Sequence, residues 1–299
     1  MNWKVILGAG AYFAFFMLSV FAILWWQRRQ RKTRLPFGPE LRLLRGPGET
    51  QLKLSRALEE QEPFFVAVIG GMPVLIAATM LQWTRDIPGV LQWPWLVLVL
   101  VVFVATFLVA ARWLAQRTRE SVNRYLGYFG ERIVAEHLEP LKQEGWRIFH
   151  DVPGQNNGAR FNLDHVAVGP GGVFVIETKT RRKGNARPGF DDHRVYFDGH
   201  ELVWPWGEDS HGLTQAENSA AWLGQQIESD IQQRVHVTPI LALPGWFVER
   251  KPSTGARLCR VANPKVLPDL IARDQNLLDR QQIDAIAAKL EARCRDVEY

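Results

Sequence analysis

The chain has 299 residues, a formal net charge of +5 and a mean hydropathy of -0.13, which leaves room for a membrane unit plus one globular domain of ordinary size. Its two cysteines, Cys259 and Cys294, lie far apart and match no C-x-x-C or zinc-ligand spacing. That argues against a disulfide framework and a zinc site, and leaves two buried free thiols. The positive balance fits anionic partners, either lipid headgroups or nucleic acid, without choosing between them.

Val5 to Trp26 is an uninterrupted apolar run. At about 1.5 Å per residue it is long enough to span a hydrocarbon core of roughly 30 Å. Only Lys4 precedes it, while Arg28, Arg29, Arg31, Lys32 and Arg34 follow with no small-residue cleavage pattern, so it reads as an anchor rather than a secretory signal. Residues 28–63 form a basic segment in which Pro36, Pro39, Gly46, Pro47 and Gly48 predict mostly loop, an amphipathic surface helix within Leu35 to Glu62 being the alternative. A second run, Phe64 to Gln82, and a third, Trp95 to Ala111, are joined by the short Thr84 to Gln92 turn and read as a hairpin of spanning helices, with Trp83, Trp93 and Trp95 at headgroup level. The basic residues of 28–63, together with Arg112, Arg117 and Arg119 after the third run, put the amino terminus outside and everything after Arg112 in the cytoplasm. The expected localisation is integral to the cytoplasmic (inner) membrane, with residues 1–27 as the first span, 28–63 a cytoplasmic loop, 64–112 the hairpin and 113–299 a cytoplasmic domain.

From Thr118 the pattern is that of a mixed α/β domain. Val122, Tyr125, Leu126, Phe129, Ile133, Val134 and Leu138 recur at helical spacing, predicting a long amphipathic helix that leads out of the third span and ends near Pro140. Strands are expected at Trp146 to His150, Phe161 to Val168 and Val173 to Thr178, then a hairpin over His193 to Trp204 with Asp198-Gly199 at its turn. Leu213, Ala216, Ala220, Leu223 and Ile227 share one helical face; Val237 to Leu243 and Leu258 to Ala262 read as strands; Ile283, Ile286, Ala287 and Leu290 mark a closing helix.

The residues that point to chemistry lie between Asn162 and Lys179. Two strand-forming runs flank Gly169-Pro170-Gly171-Gly172, and if Val168 pairs with Val173, Val166 falls opposite Val175 and Asp164 opposite Glu177, with Lys179 on the face of Glu177. Opposed carboxylates repel unless a cation sits between them. Mg²⁺ (or Mn²⁺) commonly takes one or two protein carboxylates and fills the rest of its shell with water and phosphate. Asp164 and Glu177, with the backbone carbonyl of Thr178, would hold the ion, and Lys179 would orient water or stabilise developing negative charge. His165 faces the other side of its strand and is read as structural. The bland alternative is an edge hairpin whose charges are merely solvated or paired.

Tyr128-Phe-Gly-Glu-Arg-Ile-Val-Ala-Glu-His-Leu138, followed by Asp164-His-Val-Ala-Val-Gly-Pro-Gly-Gly-Val-Phe-Val-Ile-Glu-Thr-Lys179, resembles the nuclease-related domain family, NERD, over roughly Leu126 to Leu243. The resemblance implies a restriction-endonuclease-like α-β-β-β-α-β core of the PD-(D/E)xK superfamily, here preceded by three transmembrane helices. It also implies that Glu131 is a further acid near the metal and that Gln215, on the helix after the strands, is a polar partner. Arg181, Arg182, Lys183, Arg187 and Arg194 form a basic ribbon after Lys179, suited to phosphate neutralisation, although a merely solubilising loop is its rival. The resulting expectation is a membrane-anchored, metal-dependent nuclease or DNA-processing protein whose partners are nucleic acid, with DNA favoured, and the lipid bilayer. A catalytically inactive nuclease-fold module that binds nucleic acid or a protein at the membrane is the alternative.

Overall fold

In the computed structural model, residues 11–12, 15–16, 18–23, 25–26, 42–84, 87–251, 257–273 and 277–297 are described. They fall into two units, one centred on Leu54–Val122 and one made of Arg42–Lys53 with Asn123–Tyr299. A short strand, β1 (Leu43–Leu44), precedes Pro47-Gly48, and from Glu49 the chain runs as one helix, α1 (Glu49–Trp83). The loop expected to reach residue 63 therefore stops at Gly48. Glu49 to Gln61 contains neither glycine nor proline and is rich in Leu, Glu, Gln and Lys, all good helix formers.

A second helix, α2 (Gly89–Leu138), continues into a 3₁₀ turn at Glu139–Glu144 that Pro140 opens and Gly145 caps in the left-handed conformation. Within the first unit the two helices meet. The Trp95 indole donates to the Met80 carbonyl at 3.0 Å, the Trp83 and Trp95 rings stack at 6.4 Å, and the Ser55 and Ser121 hydroxyls lie 3.4 Å apart. Among the described residues one helical stretch, Gly89–Glu144, is long and apolar enough to cross a membrane, with a mean hydropathy of 2.7 over its apolar window and 6% of that window buried. Of the three spanning helices expected, the third is the one that meets this measure among the described residues. Within the second run, Ile69–Trp83 is a shorter apolar helical stretch among the described residues. The first run, Val5 to Trp26, falls partly outside the described residues; those described within it are helical.

The second unit is built on a five-stranded sheet of order β10-β8-β4-β3-β2. β2 (Arg147–Asn156), β3 (Ala159–Gly169) and β4 (Gly172–Thr178) form an antiparallel meander, while β4 continues in parallel to β8 (Val237–Ala242) and then β10 (Arg260–Ala262). All of β4 is buried, as its unbroken Val-Phe-Val-Ile run demands of a central strand covered on both faces. The connection expected to take four residues is tighter: Gly169 pairs with Gly172, leaving Pro170-Gly171 as the loop and Gly172 at φ +113°.

Three further strands follow before the next helix: β5 (Arg194–Phe197), β6 (Leu202–Trp204) and β7 (Gly207–Asp209). Asp198 Oδ1 accepts the amides of His200 and Glu201 at 2.8 Å each and so closes the β5–β6 turn. With β9 (Phe247–Arg250) they make a four-stranded sheet, β7-β6-β5-β9. Helices α3 (His211–Ile231) and α5 (Arg280–Cys294) pack Ala220, Leu223, Ile227, Ile286 and Leu290 on one face of the large sheet, against Val166, Val168, Val173 and Val175. The end of α2 and the short α4 (Leu267–Ala272) pack Val134, Leu138, Leu267 and Ile271 on the other face, against Ala167, Phe174 and Ile176. The α-β-β-β-α-β order is thus present in three layers, with β5–β7 inserted before α3. A last strand, β11 (Arg295–Val297), pairs with β1.

Candidate functional site

The carboxyl end of β4 carries Glu177 and Thr178, and the chain leaves as Lys179, whose amide donates to the Ala242 carbonyl of β8 at 3.0 Å. The β3–β4 ladder holds the expected register, with Val168 on Val173, Val166 on Val175 and His165 on Ile176. One step further, Asp164 and Glu177 leave the ladder. Asp164 instead turns its Oδ2 onto the Thr178 amide at 2.7 Å. Lys179 Nζ lies 2.8 Å from Glu177 Oε1 and 2.9 Å from Gln215 Oε1, the latter on the second turn of α3. Glu177 is 2% exposed and its Oε2 has no partner, so half of this carboxylate is buried and unsatisfied.

Glu131 reaches the same neighbourhood from the opposite layer, on α2, buried and accepting a hydrogen bond from the Gly48 amide. Its position depends on Gly130: a Cβ there would lie 1.7 Å from Thr180 Oγ1, so only glycine lets the helix come this close to the chain leaving β4. Electrostatics tie the three acids together. Burial, helped by Asp151 and Glu177, pushes the Glu131 carboxyl up to about 8, against the pull of the Gly48 amide and Lys179. Burial, then Glu177 and Glu131, hold Asp164 well above the usual carboxylate range. Burial raises Glu177 as well, and Lys179 and His211 oppose it.

The hard oxygens available to a cation are those of Asp164, Glu177 and the Thr178 backbone. Among the described residues no group of three or more His, Cys, Asp or Glu side chains is arranged to hold a metal. His165 is fully buried, with its Nδ1 2.9 Å from His150 Nδ1 and its pKa depressed by burial, in keeping with a structural role. The two thiols are also buried, and burial pushes each up to about 12, which leaves them inert.

The basic ribbon is largely neutralised. Arg181 pairs with Asp209 at 2.6 Å, Arg187 with Glu208 at 3.2 Å, and Arg194 with Asp191 and Glu249. Arg182 and Lys183 are exposed, and Lys183 Nζ stands 6.0 Å from the Trp246 ring centroid. Acids brought in by β7, by the approach to β5 and by β9 account for the difference, and none of those pairings is local in sequence except that of Asp191.

Residues 126–244 match the family model described as nuclease-related domain. That stretch is similar to a NERD domain. No curated protein and no solved structure matches the chain significantly. The NERD match begins on the last turns of α2 before Glu131 and closes just after β8, so it contains Glu131, Asp164, Glu177, Lys179 and Gln215.

Sequence reasoning missed a strap that lies outside the NERD stretch. Asp151, 3% exposed and at φ +48° inside β2, accepts the Thr50 amide (3.1 Å), the Thr50 hydroxyl (2.7 Å) and Arg45 Nη1 (3.0 Å) through Oδ2. Arg45 also grips both oxygens of Asp296, at 2.6 and 2.7 Å, and Asn162 donates to the Thr50 hydroxyl at 2.6 Å. Gly48, at φ +69°, lies in this strap and supplies the amide that Glu131 accepts. The only advance signal was a Pro-Gly step before a helix, which says nothing of a partner more than 80 residues away.

Proposed function

We propose that this chain is a membrane-anchored phosphodiesterase of the nuclease class that acts on nucleic acid, with DNA the expected substrate and Mg²⁺ or Mn²⁺ its metal. The observation that carries the reading is Lys179 Nζ held between Glu177 and Gln215, beside Asp164 and Glu131, inside the stretch that matches NERD. The donor set fits a hard cation. It offers oxygens alone, one of them buried without a partner, and its acids are raised by burial and mutual repulsion that a positive charge relieves.

A metal held by Asp164, Glu177 and the Thr178 carbonyl would supply Lewis-acid activation of a phosphodiester and of water. The protein's own groups do the rest. Lys179 keeps an ammonium where negative charge develops on phosphate. Gln215 fixes the direction of that ammonium from α3. Glu131 sets the local field from the other side of the sheet. Anchoring rests on α2, where Leu100, Val101, Phe107, Leu108 and Val109 are exposed and no charged residue occurs from Gly89 to Ala111. Arg112, Arg117 and Arg119 would keep the NERD-like domain on the cytoplasmic side, and the chain is expected to stay with carbonate-washed membranes rather than be released.

One observation favours a second reading, an inactive nuclease-fold module that docks nucleic acid or a protein at the membrane: no three-residue metal cluster is present among the described residues. The full chain in detergent, offered DNA and RNA with Mg²⁺, Mn²⁺ or EDTA, separates the two. Metal-dependent cleavage that falls by about 100-fold or more in Glu177→Gln and Lys179→Met is the expected result. Cleavage unaltered in both variants removes the assignment, and salt-sensitive binding without turnover favours the second reading.

A further inference from the structure

A cleft of about 880 Å³ opens on the NERD-containing unit, lined by Lys183, Trp246, Phe247, Arg250, Lys265 and Arg273 among others, and no Asp or Glu is among its lining residues. Lys183, Arg250, Lys265 and Arg273 are exposed, and Phe247 is 56% exposed. Arg250 spends one donor on the Val261 carbonyl at 3.4 Å. Lys183 stands over the indole of Trp246, itself fixed by donation to the Arg181 carbonyl at 3.2 Å. Arg194 lies over the Phe247 ring at 5.1 Å. The cleft is therefore concave and cationic at its margins, with Phe247 as its exposed ring and the Trp246 indole buried beneath.

We propose that this cleft receives an unpaired stretch of nucleic acid, which makes a single-stranded end or overhang the preferred substrate class. The inference rests on the nuclease reading for its direction. Lys183 lies four residues beyond Lys179, so the segment that leaves the site also lines the cleft. Duplex nucleic acid presents phosphates outward and hides its bases, and it would use the cations but leave the exposed Phe247 ring idle. Unstacked bases use both, since every base offers a face to an aromatic ring while its phosphates meet Lys or Arg.

The test is anisotropy of a labelled oligothymidylate and of a duplex of equal length, with the full chain in detergent and EDTA present, so that no cleavage intrudes. The oligothymidylate is expected to bind more tightly than the duplex. Phe247→Ala, at an exposed ring, is expected to weaken it by about tenfold. Lys265→Ala with Arg273→Ala should reduce the slope of log Kd against log salt by about 0.7 for each phosphate that is no longer neutralised. Duplex binding as tight as single strand, or an oligothymidylate affinity indifferent to Phe247→Ala, overturns the proposal, as does equal competition by polyglutamate. Glu177→Gln keeps the two readings apart. Lost cleavage with intact oligothymidylate binding supports both, whereas binding without cleavage in any metal removes the nuclease reading and leaves the cleft standing.

Discussion

Glu131 is buried among like charges, and its proton is consequently part of the folding equilibrium. Its carboxyl moves from an ordinary 4.5 to about 8 on folding. In that case the folded chain keeps a proton that the unfolded chain has released, and the associated stability is fully present below about 4.5 and is lost as pH rises to about 8. Metal-free protein in EDTA should melt at lower temperature at about pH 8.5 than at about pH 5, and Glu131→Gln should flatten part of that slope. An unchanged slope in the variant contradicts the burial argument. The Glu177–Lys179 contact was readable because alternate residues of a strand share a face, whereas in place of the expected cross-strand pairing with Glu177, Asp164 accepts from the Thr178 amide. Glu131 and Gln215 were reachable only through resemblance, since a lone Glu or Gln on an amphipathic helix carries no mark of what it meets.

At the scale of elements, the site is the junction of two layers at one end of β4. The approach of α2 is set by a single missing methyl group. Gly130→Ala places a Cβ 1.7 Å from Thr180 Oγ1, so the helix or the strand end must shift, at about 1–3 kcal/mol. Denaturant unfolding of Gly130→Ala, Thr180→Ala and the double variant checks this. Thr180→Ala should recover part of the loss, and strictly additive changes would rule out the close approach. The β2–β3 hairpin extends well past the strands expected at 146–150 and 161–168, and it turns at Asn157-Gly158, both at positive φ. Pro153 and Gly154 hide this extension in the sequence, and the fold tolerates them because β2 lies at the edge of its sheet. The Asn-Gly step was a usable signal.

For the molecule as a whole, the second unit is discontinuous: Arg42–Lys53 belongs with Asn123–Tyr299, although a long apolar helix separates them in sequence. Removing the strap leaves Asp151 buried without Arg45 and Thr50, and strips Glu131 of the Gly48 amide. Losing one partner of a buried ion pair costs about 3–5 kcal/mol. A fragment of residues 117–299 is thus expected to unfold at markedly lower denaturant than the full chain, and Arg45→Ala in the full chain should lose about the same energy. Asp151→Asn in the fragment should restore part of it. A fragment as stable as the intact domain would show the strap to be idle.

By itself the sequence determined the order of the α-β-β-β-α-β core, the register of β3 on β4 from His165 to Val168, and the apolar stretch of α2. These depend on periodicity and on neighbours a few residues apart. Only the tertiary structure decided that Glu131 lies across the sheet from Gln215, that the arginine ribbon is mostly paired, and that residues 42–53 complete the domain. Such pairings join positions tens to hundreds of residues apart, where burial and charge, rather than local pattern, select the partner.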